Sequence, residues 1–159
     1  MRFVYGKQEM RSLSRSQESC FLLTNGLGGY ASLTAAYSAN RCDQGVLIAA
    51  QKAPGERVTL VHRLREILTV DGKPYWLSTQ QFADSTPPED GFRNLSFFVF
   101  ENIPHWRYHI GGVRVTRTMA MTYGQNTTAV IYKVENQSGA ACSLTVDPFV
   151  KFGPKETAV

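Results

Sequence analysis

Paired cysteine is absent from this chain. Its three cysteines, Cys20, Cys42 and Cys142, are an odd set at wide spacing, which excludes both a disulfide framework and a paired metal-ligand motif. They read as reduced structural thiols. Long apolar runs are missing too, and nothing approaches the roughly 20 residues that span a bilayer, so no membrane partner is expected. The N-terminus, from Met1 to Met10, has no apolar segment of signal-peptide length and carries a charge every few residues. That makes a cytoplasmic chain the expectation. Charge of one sign is nowhere concentrated: the net +4 comes from scattered lysines and arginines, so no stripe for nucleic acid is formed.

What is present is a chain of 159 residues with 43% hydrophobic content, enough for one domain with a sizeable core. From Val58 onward apolar and polar residues alternate, interrupted by turn residues at intervals of roughly ten, the pattern of successive strands. Over Val58 to Val70 the even positions, including His62 and Glu66, form one face and Thr59, Arg63, Arg65 and Thr69 the other. Asp71-Gly72 is a hairpin signal leading to Tyr75-Trp76-Leu77. Ala83 to Gly91, with Pro87-Pro88, is a loop. Ser96 to Glu101, Trp106 to Ile110, Val113 to Tyr123, Thr127 to Glu135 and Ala141 to Val150 read as further strands. Connections this short can join only antiparallel neighbours. The expected fold is therefore all-β, an antiparallel β-sandwich rich in meanders. Before Val58, Phe21 to Leu23 and Gly45 to Ala50 look like short buried strands, and only Ala31 to Ala39 has a plausible helical composition.

Thr24-Asn25-Gly26-Leu27-Gly28-Gly29-Tyr30-Ala31-Ser32 is the most informative segment. Three glycines in four positions require a sharp turn or a close approach of other groups. Gly26-x-Gly28-x-x-Ala31 also matches the dinucleotide fingerprint, but that motif needs a helix and then a parallel strand ending in an acidic residue. Here Val46 to Ala50 runs into Gln51-Lys52, so no nucleotide cofactor is expected. Together with Asn40-Arg41 and Gly45-Val46-Leu47-Ile48-Ala49-Ala50, the segment resembles the N-terminal domain of glycogen debranching enzymes (amylo-α-1,6-glucosidases) of the archaeal and bacterial type. That family carries an Asn-Gly-Leu-Gly-Gly-Tyr-Ala-Ser block, then an arginine-led segment and a strand of the Gly-Leu-Leu-Val-Ala-Ala type. Similarity continues through Asp90 to Arg93, Pro104-His105-Trp106, Gly111 to Val113 and Gly124 to Thr127, in the family's order and spacing. The chain departs from the family at Arg41-Cys42-Asp43-Gln44-Gly45, where Arg-Arg-Tyr-His-Gly is usual, and near its C-terminus, where the family domain continues.

The resemblance implies a supersandwich of the galactose-mutarotase-like kind, truncated here, with residues 1–159 forming an N-terminal domain and the catalytic (α/α) barrel absent. It also implies support for hydrolysis of α-1,6-glucosidic branch linkages in glycogen by a catalytic domain of the same polypeptide. The residues agree, because glycoside hydrolysis needs two positioned carboxyl groups. Asp71 falls in a turn, Asp84, Glu89 and Asp90 in a loop, and Glu66 on a strand suits a salt bridge as well as a catalyst. No catalytic residue is therefore assigned. His62, His105 and His109 share no ligand spacing, so no metal is assigned. Contacts with α-glucan or with the following domain are expected at Asn25, Gly28, Gly29, Tyr30, Arg41 and Trp106. The argument for the turn is compositional: Leu27 and Tyr30 offer apolar surface beside the hydrogen-bonding groups of Asn25 and Arg41. Two other readings stay open: a freestanding carbohydrate-binding module with exposed aromatic platforms, and a structural or homo-oligomerising β-domain.

Overall fold

The computed structural model describes residues 2–52 and 55–154; Met1, Ala53, Pro54 and the last five residues lie outside them. Thirteen strands dominate: β1 (Phe3–Gly6), β2 (Leu23–Thr24), β3 (Tyr30–Ser32), β4 (Gly45–Lys52), β5 (Glu56–Val70), β6 (Lys73–Trp76), β7 (Thr79–Gln80), β8 (Glu89–Asp90), β9 (Leu95–Phe100), β10 (Pro104–Ile110), β11 (Val113–Met121), β12 (Thr128–Asn136) and β13 (Cys142–Pro154). Two sheets face each other. One has the order β1-β9-β10-β11-β12 and the other β13-β5-β4-β3-β2, with β6 also on β5 and a small β7-β8 ribbon beside them. Each pairing between strands is antiparallel, so the fold is the expected all-β sandwich.

The period-2 pattern explains the layers. Along β11, Val113, Val115, Arg117 and Met119 are buried while the residues between them are more open, and β10 buries Trp106, Tyr108 and Ile110 in the same way. Opposite them stand Leu68 and Val70 of β5. The tight turn between β5 and β6 has Asp71 at φ 50° and Gly72 at φ 72°, the double positive φ of a primed hairpin.

Two sequence expectations are revised. The even face of β5 holds from Leu64 to Val70, but nearer its start Thr59 is buried in place of Val58 and Leu60. Leu47 pairs with Val61 and Ile48 with Thr59, so Leu60 is an extra residue that flips the alternation. Ala31 to Ala39 forms strand and turn, because its backbone bonds go to distant partners: Phe21 N–H to Leu33 O, Ala35 N–H to Ser19 O and Ala36 N–H to Ser16 O. The helices that do form are short and elsewhere, α1 (Leu13–Glu18), whose first turn is capped by Ser12, and α2 (Gly91–Asn94). Met10 before α1 and Phe21 after it are buried in the core, and Ser16 is the buried residue of α1 itself.

Candidate functional site

The turn between β2 and β3 is locked from within. Asn25 is fully buried, and its Oδ1 accepts from Leu27 N–H (2.9 Å) and Gly29 N–H (3.0 Å), rounding the backbone over its own side chain. Its Nδ2 donates across the sandwich to Gln125 O (3.0 Å) and Asn126 Oδ1 (2.9 Å). Asn126 in turn takes Ala50 N–H and returns its own amide to Ala50 O. Gly124 N–H donates to Asn25 O at 2.7 Å. The signature turn is thus riveted to the β11–β12 hairpin in one sheet and to β4 in the other. The glycines divide the work: Gly26 and Gly28 supply positive φ (79° and 94°), whereas a β-carbon on Gly29 would sit 2.6 Å from Asn25 Nδ2 and 2.7 Å from Asn126 Oδ1.

Asn25 and Gly29, expected at a contact surface, spend their groups inside the chain. The lock presents other residues outward. Leu27 is 38% exposed, and Tyr123, whose ring lies where a β-carbon of Gly26 would be, is 85% exposed. Tyr30 is half-buried, donates its hydroxyl to Asp43 O (2.8 Å) and lies under the Arg57 guanidinium, which also reaches Gly28 O at 2.6 Å. Tyr30 therefore borders the loop that carries Arg41.

Trp106 is different. It has no accessible surface, donates Nε1–H to Ala35 O and sits among Phe21, Tyr37 and Phe98 at centroid distances of 5.1 to 5.4 Å. The expected contact role gives way to core packing, because an indole that reaches a backbone carbonyl can be buried whole. Glu66 is also fully buried. Its carboxylate pairs with Arg117 and takes the Tyr132 hydroxyl, while Arg117 lies over the Tyr37 ring and donates to Tyr108 Oη. Burial pushes the Glu66 carboxyl up, partly offset by Arg117 and Tyr132. A raised carboxyl suits a general acid, but one without solvent access cannot meet a substrate. Glu89 is similarly committed, accepting both bonds of Arg63 Nη1 (3.0 and 2.9 Å) and the Ser78 hydroxyl (2.7 Å). The sequence hinted at these pairs only through Glu66, a charged residue at a position of inward parity; Arg63 stood on the other face of its strand and Glu89 in a loop.

Arg41 lines a separate cleft of about 630 Å³, where α1, the β3–β4 loop, β5, the segment after β7 and β13 converge. Asn40 and Arg41 are held by Gln44 Oε1, which accepts both backbone N–H groups. The Arg41 side chain itself is exposed and has no ion pair among the described residues. His62 and Arg63 line the cleft from β5, with Phe82 and Phe149 beside them. Burial lowers the His62 imidazole below its ordinary 6.5, and Lys151 and Arg63 press in the same direction. Among the described residues no carboxylate lines this cleft, and no group of three or more metal-ligating side chains forms anywhere.

No helix among the described residues is long and apolar enough to cross a membrane. Neither the curated proteins nor the solved structures contain a match to this chain. The family model described as glycogen debranching enzyme N terminal matches residues 19–158, a span containing the locked turn, its hairpin anchor and nearly all of both sheets. By that match, the chain belongs to the glycogen debranching enzyme N-terminal family.

Proposed function

We infer that the chain is a noncatalytic domain of a bacterial, cytoplasmic glycogen debranching enzyme, docking the catalytic domain of the same polypeptide that hydrolyses α-1,6 branch linkages. The observation that carries this reading is the locked turn: a network of buried amides anchors the backbone that presents Leu27 and Tyr123 to solvent. Exposed apolar side chains on a preorganised turn lose little freedom on binding, which favours an interface. The buried, paired state of Glu66 and Glu89 supports a noncatalytic role, and the three unpaired thiols suit a reducing compartment.

Binding of this chain to a separately expressed catalytic portion of a debranching enzyme tests the reading. Leu27→Asp with Tyr123→Asp is expected to weaken that binding about tenfold or more, the loss typical of removing an apolar anchor, and to lower branch hydrolysis on limit dextrin. The variant should melt with the parent, since both residues are exposed. Undiminished binding would assign the apolar turn to something else.

A further inference from the structure

We propose that the cleft around Arg41 and Phe149 binds a short stretch of α-glucan without cleaving it. The identity of the sugar rests on the debranching reading above; the site rests on the cleft itself. Its volume, about 630 Å³, falls inside the roughly 300–1,000 Å³ range of small-ligand sites. A pyranose presents apolar ring faces and a rim of hydroxyls, and needs aromatic surface beside neutral hydrogen-bonding groups. Both are present. Phe149 keeps 38% of its surface exposed, with the Arg63 guanidinium 4.0 Å from its ring centroid and 5.7 Å from that of Phe82. Arg63 is fixed by two bonds to Glu89, so the plane between the rings is set before any ligand arrives.

Around these rings stand the Gln81 amide, the neutral-leaning His62 imidazole and the free Arg41 guanidinium. The amide offers a donor and an acceptor, and the imidazole, whose ring also bonds the Gln44 backbone, adds an acceptor for a hydroxyl. An anion fits less well. Arg63 is already neutralised by Glu89, and the charges that remain, the Arg41 guanidinium and the Lys151 ammonium acting on His62, stand beside two apolar rings. Cleavage is not available, because hydrolysis of a glycoside takes two carboxyl groups and the described residues bring none to the lining.

The full chain titrated with maltotetraose by calorimetry tests the site. Saturable binding is expected, weakened about fivefold or more by either Arg41→Ala or Phe149→Ala, the scale of one lost stacking or charge-assisted contact. A second measurement uses Cys42, an exposed thiol on the cleft wall, in a Cys20→Ser/Cys142→Ser background: maltotetraose should slow its alkylation. Should Phe149→Ala fail to fold, Arg41→Ala and the Cys42 protection carry the test. The proposal is overturned by absence of both heat and protection, by full affinity in folded Arg41→Ala, or by displacement of the sugar with inorganic phosphate. Loss of glucan binding with docking to the catalytic portion intact would remove this site and leave the domain reading standing. The reverse pattern would remove the domain reading alone.

Discussion

Asn25 shows how much of a recognisable motif can be architecture. One side chain closes its own turn through two backbone N–H groups and reaches the opposite sheet through two further bonds. Because the site is buried, Asn25→Ala leaves several groups unsatisfied and should cost about 2 kcal/mol or more, read as a lowered denaturation midpoint. Asn126→Ala should cost a similar amount, and the double variant less than the sum of the two, since the pair shares a bond. Strict additivity would show that the two amides act separately. The glycines fail by different routes. Gly28→Val forces a β-branched side chain to positive φ, whereas Gly29→Ala pushes a methyl into the two amides, and each should destabilise by about 1 kcal/mol or more. Parent-like melting of both variants would contradict this account of the turn.

At the scale of elements, β5 is the spine. It pairs with β4, β6 and β13, lends Glu66 to the core and places His62 and Arg63 at the cleft. Glu66 and Arg117 join the two facing sheets, so Arg117→Met strands a buried carboxylate and should cost about 3–5 kcal/mol. Glu66→Leu added to Arg117→Met should restore much of that loss, as measured by denaturant unfolding; no recovery would mean the charges do more than neutralise each other. His62 gives β5 a pH dependence of definite sign. Its folded value lies below its ordinary 6.5, so on acidification the unfolded chain takes the proton first and stability is lost as pH falls from about 6.5 through the folded value. Melting temperatures of the parent and His62→Gln between about pH 7 and about pH 5 should therefore diverge on the unmodified chain's downward slope. Parallel curves would show that the imidazole is not held neutral.

At the scale of the molecule, the most deeply placed acids among the described residues are spent in ion pairs, and none of the described acids lines the cleft. Purified chain incubated with glycogen should release no glucose. Release that survives repurification and disappears on changing one carboxylate would locate a catalytic centre within these residues. The sandwich itself was legible because alternation in β10 and β11 and the turn at Asp71-Gly72 are local properties of the backbone. Less legible were the parity flip at Leu60, caused by a bulge in the pairing with β4, and the failure of Ala31 to Ala39 to become helix, caused by bonds to residues more than ten positions away. The candidate site divides along the same line. Leu27, Tyr30 and Arg41 are recognisable as apolar or hydrogen-bonding residues beside a glycine turn, whereas the burial of Asn25 and Trp106 depends on which sheet lies opposite.

The sequence by itself therefore determined the fold class, the antiparallel connections and the family, because strand period, turn chemistry and a contiguous glycine block are all written in neighbouring residues. Only the tertiary structure decided which members of that block face solvent, that Asn25 finds Asn126, 101 residues away, that Glu66 is sealed against Arg117, and that Arg41 faces Phe149 across a cleft. The first three depend on the packing of one sheet on the other, whereas the cleft is gathered within one sheet, where β5, β13 and the β3–β4 connection converge, and the register of these meetings is set by bulges and buried side chains that no local pattern encodes.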